Sequence, residues 1–236
     1  MHQSQFWVAA HTGSGNAPDN TMDSFLEGVN SGADMVEIDV RSTKDGVAIL
    51  LHDDSPLLQL YTYKQLNARE MRTQLDPLYA HHDIVRLDTI LQIAMKHQMK
   101  LNLDMKDHRS NEPALAAIQM TQAAECVFFT GCTEGLVGLQ AGLQVMMNTP
   151  DALTDQDEGD YEAFADAICA QARKEGYVGL NMDYRTCRQE IVDRAHASGL
   201  VVWVYTVNEP AWMAKCISMD VDAITTRNVR TLIQLK

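Results

Sequence analysis

Eight apolar runs recur along the chain, beginning near Phe6, Met35, Leu101, Cys126, Leu143, Tyr177, Leu200 and Asp222, and helix-patterned sequence follows each one. A strand that returns parallel to its neighbour needs a crossover long enough to hold a helix, so this alternation implies a parallel sheet. Eight such repeats fit an α/β protein whose sheet closes on itself, a (β/α)8 TIM barrel. The 236 residues suit one such domain, and no linker-like composition interrupts the series. The expectation is therefore a single domain spanning 1–236.

The second run carries the most chemistry. Met35-Val36-Glu37-Ile38-Asp39-Val40 alternates apolar and polar residues, which places Glu37 and Asp39 on one face of a strand. Two carboxylates so close repel each other. A fold keeps such a pair in water or around a cation, and oxygen donors suit Mg²⁺ or Ca²⁺. Asp45-Gly46 signals a hairpin, and the apolar run Val47 to Leu51 then returns His52 toward the pair. The first run ends on His11. In the third, Leu101, Leu103 and Met105 share one face and Asn102, Asp104 and Lys106 the other.

Active sites of such barrels sit at the C-terminal ends of the strands. His11, Glu37, Asp39, Asp104 and Lys106 are therefore expected at one mouth, joined by His52 from the hairpin. Three carboxylates can hold one divalent cation. Two imidazoles, with an ordinary pKa of about 6.5, can serve as general acid and base near neutrality. Lys106 adds a positive charge for an anionic substrate, and the set suits phosphoryl chemistry.

Elsewhere the sequence is less specific. Asp19 or Asn20 can cap the helix through Met22 to Val29, and a short helix is expected over 134–141. The stretch 55–85 is the least readable. Its His81-His82-Asp83 cluster reads as a solvated loop, because adjacent side chains diverge. Asp151 to Asp160 reads as an acidic loop. A net charge of −13 argues against nucleic acid or an anionic membrane as the main partner. Five scattered cysteines without CxxC spacing point to reduced thiols and a cytoplasmic protein. Neither a membrane span nor a signal peptide is visible.

These residues resemble the glycerophosphodiester phosphodiesterase family. The likeness runs through Ala10-His11-Thr12-Gly13, Ala17-Pro18-Asp19-Asn20-Thr21, Val36-Glu37-Ile38-Asp39-Val40-Arg41, Thr43-Lys44-Asp45-Gly46 and His52-Asp53-Asp54. It continues in Asp104-Met105-Lys106, Tyr205-Thr206-Val207-Asn208 and Val221-Asp222-Ala223-Ile224-Thr225. The resemblance implies hydrolysis of a small-molecule glycerophosphodiester to glycerol 3-phosphate and an alcohol, with one divalent cation, Mg²⁺ or Ca²⁺. It implies His11 and His52 as the acid/base pair and Glu37, Asp39 and Asp104 as metal ligands. Lys106 would contact the phosphate, and attack by the substrate's own 2-hydroxyl would give a cyclic intermediate.

The chain also departs from the family pattern. Thr12 stands where the family has a phosphate-contacting Arg, and Arg41, on the face of Glu37 and Asp39, could replace it in part or form a structural ion pair. Tyr205 replaces a Trp and keeps an aromatic, substrate-facing wall. Thr226 and Asn228 replace an Asp and a Pro, and the segment after His52 is short. Two other readings are a sphingomyelinase D-like phospholipase, which similarly lacks that Arg, and a non-catalytic barrel that binds a phosphorylated ligand. The acidic charge disfavours the first, and retention of both histidines disfavours the second.

Overall fold

Strand and crossover alternate throughout the computed structural model, which describes residues 6–139 and 142–236. The first third contains β1 (Trp7–His11), α1 (Met22–Asn30), β2 (Met35–Ser42), β3 (Ala48–Leu50), α2 (Leu57–Leu60), α3 (Tyr63–Leu66), α4 (Arg69–Arg72) and α5 (Leu87–His97). The middle contains β4 (Lys100–Met105), α6 (Asn111–Thr121), β5 (Val127–Gly131), β6 (Gln144–Asn148), α7 (Asp155–Gly159) and α8 (Tyr161–Glu175). The chain finishes with β7 (Gly179–Asp183), α9 (Gln189–Ala197), β8 (Val201–Tyr205), α10 (Pro210–Ser218), β9 (Ala223–Thr226) and α11 (Val229–Leu235).

Eight of these strands are parallel and close into the expected barrel, in the order β1-β2-β4-β5-β6-β7-β8-β9, with β9 paired back onto β1. The ninth, β3, is the return arm of the Asp45-Gly46 hairpin and pairs antiparallel with the far end of β2. Ser14 fastens the closing seam, its hydroxyl donating to the Thr226 carbonyl at 2.7 Å.

The alternation along each strand sorts residues between two cores. Outward residues such as Val8, Val36, Ile38, Leu101 and Leu103 pack with Phe25, Ile90, Leu91 and Ile118 of the helices. Inward residues at the N-terminal end form a separate cluster of Ala9, Met35, Met146, Trp203 and Ala223, with Trp7 and Phe128 against it. Further along the same strands the inward positions become polar, and that change locates the site.

Three local readings differ from the sequence expectation. Thr21, rather than Asp19 or Asn20, caps α1 through a reciprocal bond with Ser24; the other two side chains serve elsewhere. The described part of 134–141 forms turns instead of a helix, since Gly135 and Gly138 take positive φ of 83° and 81°. Residues 140 and 141 lie outside the described residues. The acidic loop contains a real helix, α7, whose Thr154 and Asp157 cap each other. The unreadable stretch 55–85 folds as short helices over a satellite core of Ile49, Leu51, Leu58, Leu66, Tyr79 and Ile84. Among the described residues, no helix is long and apolar enough to cross a membrane, and all five cysteines are free thiols.

Candidate active site

Strand register brings the predicted residues together. His11 lies beside Glu37, Glu37 beside Asn102, and Asp39 beside Asp104 on adjacent strands. One oxygen each from Glu37, Asp39 and Asp104 falls within 4.8 Å of the others, the only such metal-competent group among the described residues. Glu37 is 5% exposed and Asp39 3%. Burial first, then the charges of Asp39 and Asp104, push the Glu37 carboxyl well above the usual carboxylate range. Burial likewise raises Asp104, with Lys106 opposing it.

Lys106 bridges the carboxylates, 2.7 Å from Asp39 and in direct contact with Asp104. Burial works against its ammonium, but the two aspartates outweigh that and hold the charge on. A cluster of hard oxygen donors with one ammonium among them is short of positive charge. This donor set fits a divalent cation of the Mg²⁺ or Ca²⁺ kind. Neighbouring groups already aim the carboxylates. The Thr12 backbone N–H donates to Glu37 Oε2 at 3.0 Å. Asn20 donates to Asp39 Oδ2 at 2.6 Å and accepts from the Asp39 N–H at 3.1 Å.

A cavity of about 440 Å³ opens over this cluster, lined by His11, Glu37, Asp104, Lys106 and Tyr205 together with Asn102, Thr130 and Asn181. Asp151 forms part of the rim and accepts a 2.8 Å hydrogen bond from the Tyr205 hydroxyl. Burial, then the positive charge of Arg227, lowers the His11 pKa to about 4. Its imidazole is therefore neutral at pH 7, and its Nδ1 is buried with no hydrogen-bond partner among the described residues.

His52 stands apart from the others. Its side chain is 66% exposed, with Nδ1 2.7 Å from Asp53, and it does not line the cavity. Its backbone is nevertheless held near the cluster. Leu51 donates its N–H to the Asp39 carbonyl at 3.1 Å, and Arg41 Nε donates to the His52 carbonyl at 2.8 Å. Arg41 also pairs with Asp107 at 3.1 Å, so it is the structural ion pair of the two roles open to it. His81, His82 and Asp83 form no metal-competent group; Asp83 pairs with Arg72 at 2.6 Å instead.

Sequence reasoning missed several residues here. Asn20 carries the local signal of a helix cap, so its role on Asp39 needed the tertiary fold. Gly131, at φ 78°, is obligatory because a Cβ there would stand 2.3 Å from Asp104 Oδ1. Asp151 and Arg227 belong to loops whose positions the pattern does not fix.

A parallel barrel that gathers three carboxylates, a lysine and a buried imidazole at its strand ends holds the groups that a phosphoric diester hydrolase uses. Residues 11–231 match the glycerophosphoryl diester phosphodiesterase family, and the chain belongs to that family. A glycerophosphodiester phosphodiesterase of Bacillus altitudinis is 24% identical over 238 residues, covering 93% of each chain. The crystal structure of a glycerophosphodiester phosphodiesterase from Parabacteroides distasonis superposes with a TM-score of 0.79 at 20% identity, over 98% of this chain and 97% of that one. An Oleispira antarctica phosphodiesterase, solved in complex with the product sn-glycerol-3-phosphate, gives 0.74 at 20% identity, over 97% and 96%.

Proposed function

We propose that this protein hydrolyses glycerophosphodiesters to glycerol 3-phosphate and an alcohol, with a divalent cation held by Glu37, Asp39 and Asp104. The observation that carries this reading is the convergence of three carboxylate oxygens within 4.8 Å in a cavity that also presents His11 and Lys106. When bound, the cation would neutralise charge that develops on the phosphoryl oxygens. The protein's own groups do the rest.

His11, neutral at working pH, takes the proton from the attacking 2-hydroxyl of the glycerol. His52, whose backbone is held beside the cluster and whose imidazole stands against Asp53, gives a proton to the departing alcohol. Oxygen–phosphorus bond formation and cleavage then leave a cyclic phosphate, which water opens with the two histidines in reversed roles. Lys106 offers its ammonium to a phosphate oxygen, and Tyr205 forms the wall against which the substrate sits. The free thiols support a reducing, cytoplasmic setting.

The test is release of glycerol 3-phosphate from glycerophosphocholine, assayed with Mg²⁺, with Ca²⁺ and with chelator. Turnover that needs a divalent ion and is lost in His52→Ala supports the reading. Undiminished turnover in chelator, or in that variant, removes the corresponding part of it.

A further inference from the structure

A phosphodiester brings a negative charge into a cavity whose carboxylates already outnumber its cations. Lys106, among the described residues the one cationic side chain on the cavity wall, is engaged by both Asp39 and Asp104. The guanidinium groups near the mouth are mostly committed as well. Arg41 is tied to the His52 carbonyl and Asp107. Arg109 is tied to Asp107 and Asp54. Arg185 is held at both ends of its fork by Asp183.

Arg227 differs. It follows β9 directly, and the β1–β9 register pairs Ala10 with Thr226, so the next step sets Arg227 beside His11. It has the strand parity of Thr225, which lines the cavity. Its side chain, 44% exposed, crosses the end of β1 to reach Asp19, with one terminal nitrogen on each carboxylate oxygen at 2.9 and 2.6 Å. An end-on fork of this kind leaves Nε–H and the outer N–H bonds without a partner among the described residues. Its charge is felt at His11, Glu37 and Asp39, where it contributes to lowering the imidazole's pKa.

We propose that Arg227, poised on Asp19 at the β1–β9 seam, supplies the guanidinium that binds the substrate phosphate in this chain, in the position where Thr12 offers no charge. An exposed pair of this kind contributes little to stability. A guanidinium held in one orientation beside the cavity is pre-organised for bidentate contact with a phosphate. The inference rests on the hydrolase reading above.

The experiment compares wild type, Arg227→Ala and Arg227→Lys on glycerophosphocholine with the activating ion, with glycerol 3-phosphate as competitive inhibitor. Loss of a charge-assisted contact should raise both KM and the inhibition constant about 10- to 100-fold in Arg227→Ala, with a smaller change in kcat. Arg227→Lys should recover part of this, and millimolar guanidinium should partly rescue the alanine variant. A purely structural pair would instead lower Tm and leave KM and the inhibition constant within twofold of wild type, which overturns the inference. Calorimetric binding of glycerol 3-phosphate separates the two readings. A wild type that binds it through Arg227 yet turns over no diester overturns the hydrolase reading alone, and a wild type that does neither overturns both.

Discussion

The two ends of the barrel are built from the same strands and opposite chemistry. At the N-terminal end, Trp7, Phe128 and Trp203 meet edge-on or tilted, with ring centroids 4.8 to 6.1 Å apart. At the C-terminal end the same strands present His11, Thr130 and Tyr205, and beside them stand carboxylates that burial and mutual repulsion disfavour. One end gains stability from burial of aromatic surface, and the other gives some of it up to hold charge in place. A barrel can carry a costly mouth because its floor is closed independently.

That contrast can be broken from either end. The largest effect belongs to the mouth. His11→Ala or His52→Ala should lower kcat on glycerophosphocholine by about 10²–10⁴-fold, as expected for loss of a general acid or base. Thermal unfolding should show each variant's Tm little changed. On the floor, Trp203→Ala should reduce unfolding free energy by about 3–5 kcal/mol in urea titration. The kcat of this variant, measured where it is still folded, should stay near wild type; a large loss would mean the two ends are not independent.

Filling the acidic cluster should act in the opposite sense. Mg²⁺ or Ca²⁺ at about 100 times its Kd should add about 2.7 kcal/mol, a rise of several degrees in Tm. Glu37→Gln should lose most of that rise and all of the activity. The smallest effect concerns protons. Unfolded His11 accepts a proton below about 6.5, whereas the folded imidazole resists until about 4. Between those values the unfolded state binds more protons, so stability should be complete above pH 6.5 and fall as pH drops toward 4. His11→Ala should flatten that slope in urea titrations across the window.

The fold was legible because period-two strands alternate with helical pattern eight times, and register did not have to be known to count them. The meeting of Glu37, Asp39, Asp104 and Lys106 was legible for a related reason, since parity puts them on inward faces and the barrel rule puts them at one end. His52 was only half legible. The hairpin does return its backbone to Asp39, but the side chain turns out to Asp53. Asn20 and Arg227 were hidden, because each is defined by a partner far along the chain. Asn20 looks like a cap until Thr21 is seen to hold that post. Residues 55–85 were opaque because their core is a small local one, assembled from short helices with no repeating pattern.

The seam fastened by Ser14 and Thr226 joins positions 212 residues apart. On the ribosome, β1 emerges before the other barrel strands and must wait for all of them before β9 covers its open edge. Until then no catalytic mouth exists, and an unpaired strand is available to the wrong neighbour. Chain synthesis, rather than any later event, therefore sets the earliest moment at which this protein can touch its substrate. A premature stop before β9 should yield an aggregating fragment instead of a weak enzyme.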